Sequence, residues 1–388
     1  MSTSSTAEWL YTASQTAATS DWHIEVFTDL TEIEDEWTAL SMEGHAGPFQ
    51  TVGWVSAWYK AATQFGLAEP LIVTGSRRAG ERTDIILPLC RFKKRGLNII
   101  SAPDLGVSDL YAPVLSPALA KDPAGIERFF TQARRKLPDH DLIFIDKLDG
   151  ADPALVRPRF MAKLPYSAWS MDLSAAEPAQ ALNLIKPKMR RSIRQKIKQM
   201  NEVSVRTVAF STETTPVDTL ETIWTMRRER FSSLGRNDGL KEAAWRQLYD
   251  EVCAGRYRDL KPFSAVLSCD GVPVGAQLGI RHKDHFVGTL LSLRMGRHER
   301  TSPGLQVLYE AMQHLAEGGI KRFDLSGGDQ PYKRHLGCTP RPLFELMVPA
   351  SLKGGLVWLW WRGKNSLRAH PKFFNGLKKL HHLIQKRH

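Results

Sequence analysis

The run "FSAVLSCDGVPVGAQLGI" alternates apolar and polar residues on both sides of Asp270-Gly271. Alternation of period two buries one face of a strand, and Asp-Gly suits a tight turn with positive φ angles, so the pattern predicts a hairpin. A second turn at Lys283-Asp284 leads into "HFVGTLLSL", a third strand. The period then changes. In "TSPGLQVLYEAMQHLAEGG", Leu305, Leu308, Met312 and Leu315 recur at helical spacing, with Ser302 placed as N-cap, Pro303 as first helical residue and Gly318-Gly319 as the stop. "KRFDLSG" then reads as a strand, which gives the order strand, strand, strand, helix, strand.

The first half carries a similar order. "PLIVTGSRRAGERTDIILPL" reads as strand, turn, strand; "LNIISAP" as a third strand; "GIERFFTQARRKL" as an amphipathic helix; and "DLIFIDKL" as the strand after it. Two halves with one order suggest a duplicated fold. Between them, "IKPKMRRSIRQKIKQMN" predicts a helix from about Pro187 to Met200, with Met189, Ile193, Ile197 and Met200 as an apolar stripe and Lys/Arg on the other faces. The division expected from these elements is a disordered leader at 1–20, domains at 21–170 and 171–350, and a tail at 351–388.

Composition narrows the class. At 388 residues, with 42% hydrophobic and 24% charged residues, two soluble globular domains are expected. Cys90, Cys253, Cys269 and Cys338 lie far apart with no C-x-x-C spacing, which argues against a zinc site or a disulfide framework and for a reducing cytoplasm. The net charge is +12, but nine Lys/Arg and no acid fall between Lys353 and His388, leaving +3 for the rest. The basic character therefore belongs mostly to the tail, and no specific nucleic-acid binding is expected. The Ser/Thr/Ala-rich start lacks the pattern of a signal peptide, and "LVWLWW" is far too short to span a bilayer.

The helix beginning "RHERTSPG" has the form of an anion site: its N-terminus exposes unpaired N–H groups, Arg297 and Arg300 precede it, and Gly304 permits close approach. The same residues also suit an ordinary capped helix with solvated arginines. The next strand breaks on Gly327-Gly328, which would place Asp324, Asp329, Tyr332 and Lys333 around a cleft beside that site. A carboxylate can act as base, a phenol as acid, and an ammonium can stabilise an oxyanion. The plain alternative is a loop with solvated Asp and Lys and a packed Tyr. His282 and His285 flank a turn and are expected to face solvent; His335 is a further candidate base.

At these residues a family resemblance enters. "SPGLQVLYEAMQHLAEGGIKRFDLSGGDQPYK" resembles the C-terminal signature of GNAT-like acyltransferases associated with cellulose and exopolysaccharide biosynthesis, which resemble in turn the Fem-type peptidoglycan aminoacyltransferases. "FQTVGWVSAWY", "SDLYAPVL" and "RRERFSSLGRNDGL" also look like the family, so the similarity runs from about residue 22 to 350 and is strongest over 263–336. The resemblance implies an α/β fold of two GNAT-like domains, with mixed, mainly antiparallel sheets flanked by helices. It implies transfer of an acyl group from acyl-CoA, acetyl-CoA foremost, to an amine or hydroxyl of a small-molecule or lipid-linked saccharide acceptor, without a metal. Arg297, Arg300, Ser302 and Gly304 would bind the donor, and Asp324, Asp329, Tyr332 and Lys333 would carry the chemistry. Ser108, Asp109, Tyr111 and Arg230 would contact the acceptor. One departure stands out: GNAT enzymes commonly carry Arg/Gln-x-x-Gly-x-Gly/Ala at the pyrophosphate loop, and here Glu299, Ser302 and Gly304 align, so only the last position fits. An aminoacyl-tRNA-dependent transferase and a non-catalytic module of a polysaccharide-synthesis complex are the alternatives. The tail pairs Trp358, Trp360, Trp361, Phe373 and Phe374 with its basic residues, which suits either peripheral contact with the anionic inner face of the cytoplasmic membrane or packing onto the second domain.

Overall fold

The computed structural model describes residues 22–149, 160–240, 242–296 and 298–369; the expected leader, Arg297, Phe373 and Phe374 lie outside them. The first half runs β1 (His23–Phe27), α1 (Glu34–Glu43), α2 (Val52–Gln64), β2 (Glu69–Ser76), β3 (Ile85–Lys94), β4 (Leu97–Ser101), β5 (Val114–Leu115), α3 (Pro123–Ala133), β6 (Leu142–Asp149) and β7 (Met161–Asp172). The second runs α4 (Pro187–Asn201), β8 (Arg206–Ser211), α5 (Val217–Ser233), α6 (Ala243–Cys253), β9 (Lys261–Cys269), β10 (Val272–His282), β11 (His285–Leu293), α7 (Pro303–Glu317), β12 (Arg322–Gly327), α8 (Pro331–Leu336) and β13 (Thr339–Pro349), followed by α9 (Leu352–Ala369).

The local signals produce their elements for identifiable reasons. Asp270 and Gly271 have φ of 51° and 77°, so the hairpin turn is of the kind that matches strand twist. The apolar stripe of α4 buries Ile193 and Met200, and α7 buries Leu308, Met312 and Leu315. Ser302 departs from expectation. It sits at φ 52° and its side chain does not cap α7, because its hydroxyl accepts a hydrogen bond from Lys196 Nζ instead.

The strands form one mixed sheet in the order β1-β2-β3-β4-β6-β13-β7-β12-β11-β10-β9-β8, with β5 on β3. Among the described strand pairs, β4/β6 and β11/β12 run parallel and the others antiparallel. The fold is thus α/β, with a large mixed sheet flanked by helices. The halves exchange their last strands. β7 leaves the first half to pair with β12, and β13 leaves the second to pair with β6, so each half of the sheet is completed by the other half's chain. Residue 170, where one domain was expected to end, lies inside the exchanged β7.

The largest hydrophobic cluster lies between the halves. It joins Trp37, Trp54 and Trp58 to Trp224, Trp245 and Tyr249, and the rings of Trp58 and Trp245 stack with centroids 6.3 Å apart. A carboxylate crosses the same junction: Asp259 accepts from Val52 N (2.7 Å) and Gly53 N (3.1 Å), the unpaired donors that open α2. His282 stands beside it, bonded to Asp259 O and Ser41 O, and buried rather than solvent-facing as its turn position suggested. His285 is half-buried, its side chain 13% exposed; His335 is exposed. All four cysteines are buried and unpaired.

Candidate active site

β11 and β12 are held together only at their starts. They pair at His285↔Arg322, Phe286↔Phe323 and Val287↔Asp324; from there β11 continues beside β10 to Leu293 while β12 bends toward β7. The bend uses left-handed backbone at Ser326 (φ 60°) and Gly328 (φ 101°). Between the diverging ends, Ser326 Oγ donates to Gly288 O at 3.0 Å. Parting of two parallel strands exposes backbone polar groups that a ligand can satisfy.

The N-terminus of α7 stands at the wide end of this opening. Gly304 is buried against Leu293 and Pro303 faces Gly275, so the helix begins beside the ends of β10 and β11. Leu305 N and Gln306 N both bond Ser302 O, whereas Gly304 N has no backbone acceptor among the described residues. Lys196 of α4 reaches across to Ser302 Oγ and to Arg300 O. Packing of α4 on α7 brings this lysine to the helix start. Arg300 itself is exposed.

The first half has the same divergence and closes it with its own chain. β4 and β6 pair at Ile99↔Leu142, Ile100↔Ile143 and Ser101↔Phe144 and then separate. The segment after β4 fills the gap: Tyr111 N donates to Lys147 O, Asp149 N donates to Tyr111 O, and Lys147 Nζ bonds Asp104 at 2.8 Å and Ser108 O at 2.8 Å. Ser108 and Tyr111 therefore hold this plug rather than present themselves to an acceptor. Ser108 Oγ donates to Pro103 O and accepts from Trp54 Nε1, and Tyr111 is packed in the first-half core.

Asp109 is the residue of the plug that crosses to the second half. Burial pushes its carboxyl up, against the pull of Lys147, the Ser326 hydroxyl and Lys333. Lys333 is 2% exposed, and its Nζ donates to Ser326 O (3.1 Å) and Gly327 O (2.8 Å). Burial brings its ammonium down to about 8, although Asp109, Asp324 and Asp329 pull the other way. An acid moved up and a base moved down at the end of a strand opening suit proton transfer near neutrality. Sequence reasoning named both residues without bringing them together, and it missed Ser326, Lys147 and Lys196.

The other candidates are held by their surroundings. Asp324 is fully buried and accepts from Arg341 (2.8 Å), Arg322 (3.4 Å) and Ser326 N (2.8 Å), with His285 Nε2 at 3.7 Å. It binds the strand junction together rather than ringing a cleft. Asp329 accepts from Ser167 N (3.2 Å) and Trp169 Nε1 (2.8 Å), which fixes the loop onto β7. Burial raises the Tyr332 phenol to about 12, with the charge of Arg230 of α5 opposing the rise. A phenol held that high donates a hydrogen bond well and a proton poorly.

Residues 187–334 match the model of the Acetyltransf_6 family, an acetyltransferase (GNAT) domain. The fold as a whole is similar to that of FemX, with TM-score 0.57 and 11% identity over 84% of this chain and 97% of that one. It is also similar to the C-terminal domain of a putative lysylphosphatidylglycerol synthetase from Agrobacterium fabrum (TM-score 0.53, 12% identity, 85% of this chain and 95% of that one). A third likeness is to L-PGS from Bacillus licheniformis (TM-score 0.52, 12% identity, 86% and 96%). No curated protein matches the sequence.

Proposed function

We propose that the protein transfers an acyl group from acyl-CoA to an amine or hydroxyl of an acceptor related to the cell envelope or to exopolysaccharide. The observation that carries this reading is the opening between β11 and β12 with the start of α7 at its mouth. The donor's phosphates would meet Gly304 N and the ammonium of Lys196, and its acyl end would lie in the strand opening near Ser326. Asp109 would take the acceptor's proton as the nucleophile attacks, and Lys333 would hold the β12 end in place and supply positive charge near the developing oxyanion.

A second reading, an aminoacyl group carried on tRNA, is favoured by the first turn of α7. Pro303 has no N–H, and the two N–H groups after Gly304 are already bonded to Ser302 O, so the turn offers a pyrophosphate few donors. The folds of FemX and of the lysylphosphatidylglycerol synthetases support the same alternative.

A thermal-shift panel of CoA, acetyl-CoA, longer acyl-CoAs, nucleotide sugars and aminoacyl-tRNA separates them. A ligand at about 100 times its Kd should add about 2.7 kcal/mol. The acyl-CoA reading expects that gain with CoA compounds and its loss in Gly304→Asp. A side chain there meets Leu293 Cδ2 at 2.9 Å, the movable end of a leucine, and an acid in the first turn favours the helix, so the variant should fold. CoA binding undiminished in Gly304→Asp places the donor elsewhere; stabilisation by aminoacyl-tRNA alone selects the second reading.

A further inference from the structure

The helix α9 has two apolar faces, and the protein covers one. Trp361 is buried against Leu142 and Met347, and its Nε1 donates to Glu345 at 2.9 Å, where Asn365 Nδ2 also bonds. Trp358 meets Phe160 edge-on, with ring centroids 6.0 Å apart. The other face carries Leu352, Leu356, Leu359 and Trp360, which are 92%, 71%, 60% and 66% exposed. Their spacing lines them along one side of the helix. Single exposed leucines are ordinary; a row of four large apolar side chains on one helix marks an interaction surface.

Charge identifies what it meets. Lys353, Arg362 and Lys364 are exposed on the same helix, and the Lys364 ammonium lies 5.2 Å from the centre of the Trp360 ring. The chain from 353 to 388 holds nine Lys/Arg and no Asp or Glu. No described helix is long and apolar enough to cross a membrane. An apolar row with an indole and a cationic border, on a helix too polar to span, suits a helix lying in the headgroup layer of an anionic bilayer. We propose that the outward face of α9 docks the protein on an anionic lipid surface, with Trp360 at the headgroup boundary and the basic residues on the lipid phosphates. Residues of the covered face would keep α9 fixed to β13 while it docks.

Flotation of the full chain tests this without any donor or acceptor, so its outcome is separate from that of the acyltransferase reading. At low salt the protein should float with vesicles of phosphatidylcholine containing phosphatidylglycerol and remain below with phosphatidylcholine alone. The variant Leu356→Glu/Trp360→Glu should lose at least about tenfold in bound fraction, since it removes apolar contact and adds two negative charges. Arg362→Gln/Lys364→Gln should lose about fivefold per residue. Should the acidic variant melt lower than the parent, Leu352→Ser/Leu359→Ser on the same face replaces it, with the same loss expected. Three results overturn the proposal: no flotation of the parent chain, undiminished flotation of an apolar-face variant that melts like the parent, or a dimer that the same variant dissociates.

Discussion

Lys333→Met is expected to lower turnover about 10²–10³-fold, the usual cost of removing a positioned donor beside a reacting carbonyl. At pH 7 it should also lower stability, by about 1–3 kcal/mol, because the buried Ser326 O and Gly327 O lose their donor. The burial of Lys333 makes it part of the fold as well as of the site. pH dependence supplies a signature. The Lys333 amine falls from its ordinary 10.5 to about 8 on folding, chiefly through burial. Between these values the unfolded chain binds a proton that the folded chain does not, so stability rises with pH across that window, by about 3 kcal/mol in all. Denaturation of the parent and of Lys333→Met from pH 7.5 to 10.5 should show this rise in the parent alone. Turnover that needs the ammonium should fall as pH passes about 8. Equal pH profiles for the two proteins would remove Lys333 from both roles.

Asp324→Ala is expected to destabilise the protein by about 1–3 kcal/mol, since it leaves the half-buried Arg341 and Arg322 and the buried Ser326 N–H without their carboxylate. Arg341 bonds Asp324 at 2.8 Å and Asp149 at 3.2 Å, while its Nε and Nη1 are buried without a partner among the described residues. The double variant Asp324→Leu/Arg341→Met removes both charges and should recover much of the loss. Urea denaturation decides. A double variant no more stable than Asp324→Ala would mean that the carboxylate acts on backbone geometry, through Ser326 N, rather than through its arginines.

The element order was legible in the sequence because its signals are local. Asp270-Gly271 makes its turn, Leu305 to Leu315 keep helical period, and Pro187 opens α4, each without help from distant chain. The site was legible in part. Gly304 and Lys333 stand near the strand opening, and the charges of Asp109 and Lys333 act on one another. Yet nothing in "GVSDLYAP" shows that its aspartate crosses to the other half while its serine and tyrosine turn inward. Ser302 resembles a cap because the lysine that takes its hydroxyl lies on another helix. His282 and His285 resemble turn residues because the strand junction that covers them is built from both halves. In each case the deciding partner is far away in sequence, and local pattern carries no trace of it.

The exchanged strands bear on how the chain reaches its fold during synthesis. β6 ends at Asp149, but the strand that covers its free edge begins at Thr339. At about 5–20 residues per second, a ribosome leaves that edge unpaired for on the order of ten seconds or longer. Throughout that interval the nascent first half presents an apolar strand ready to pair with another chain. Folding should therefore be limited by the arrival of the last strand, and a chain cut before Thr339 should collect on holdase chaperones or aggregate instead of yielding a folded first half. The two halves have one architecture but a single folding event.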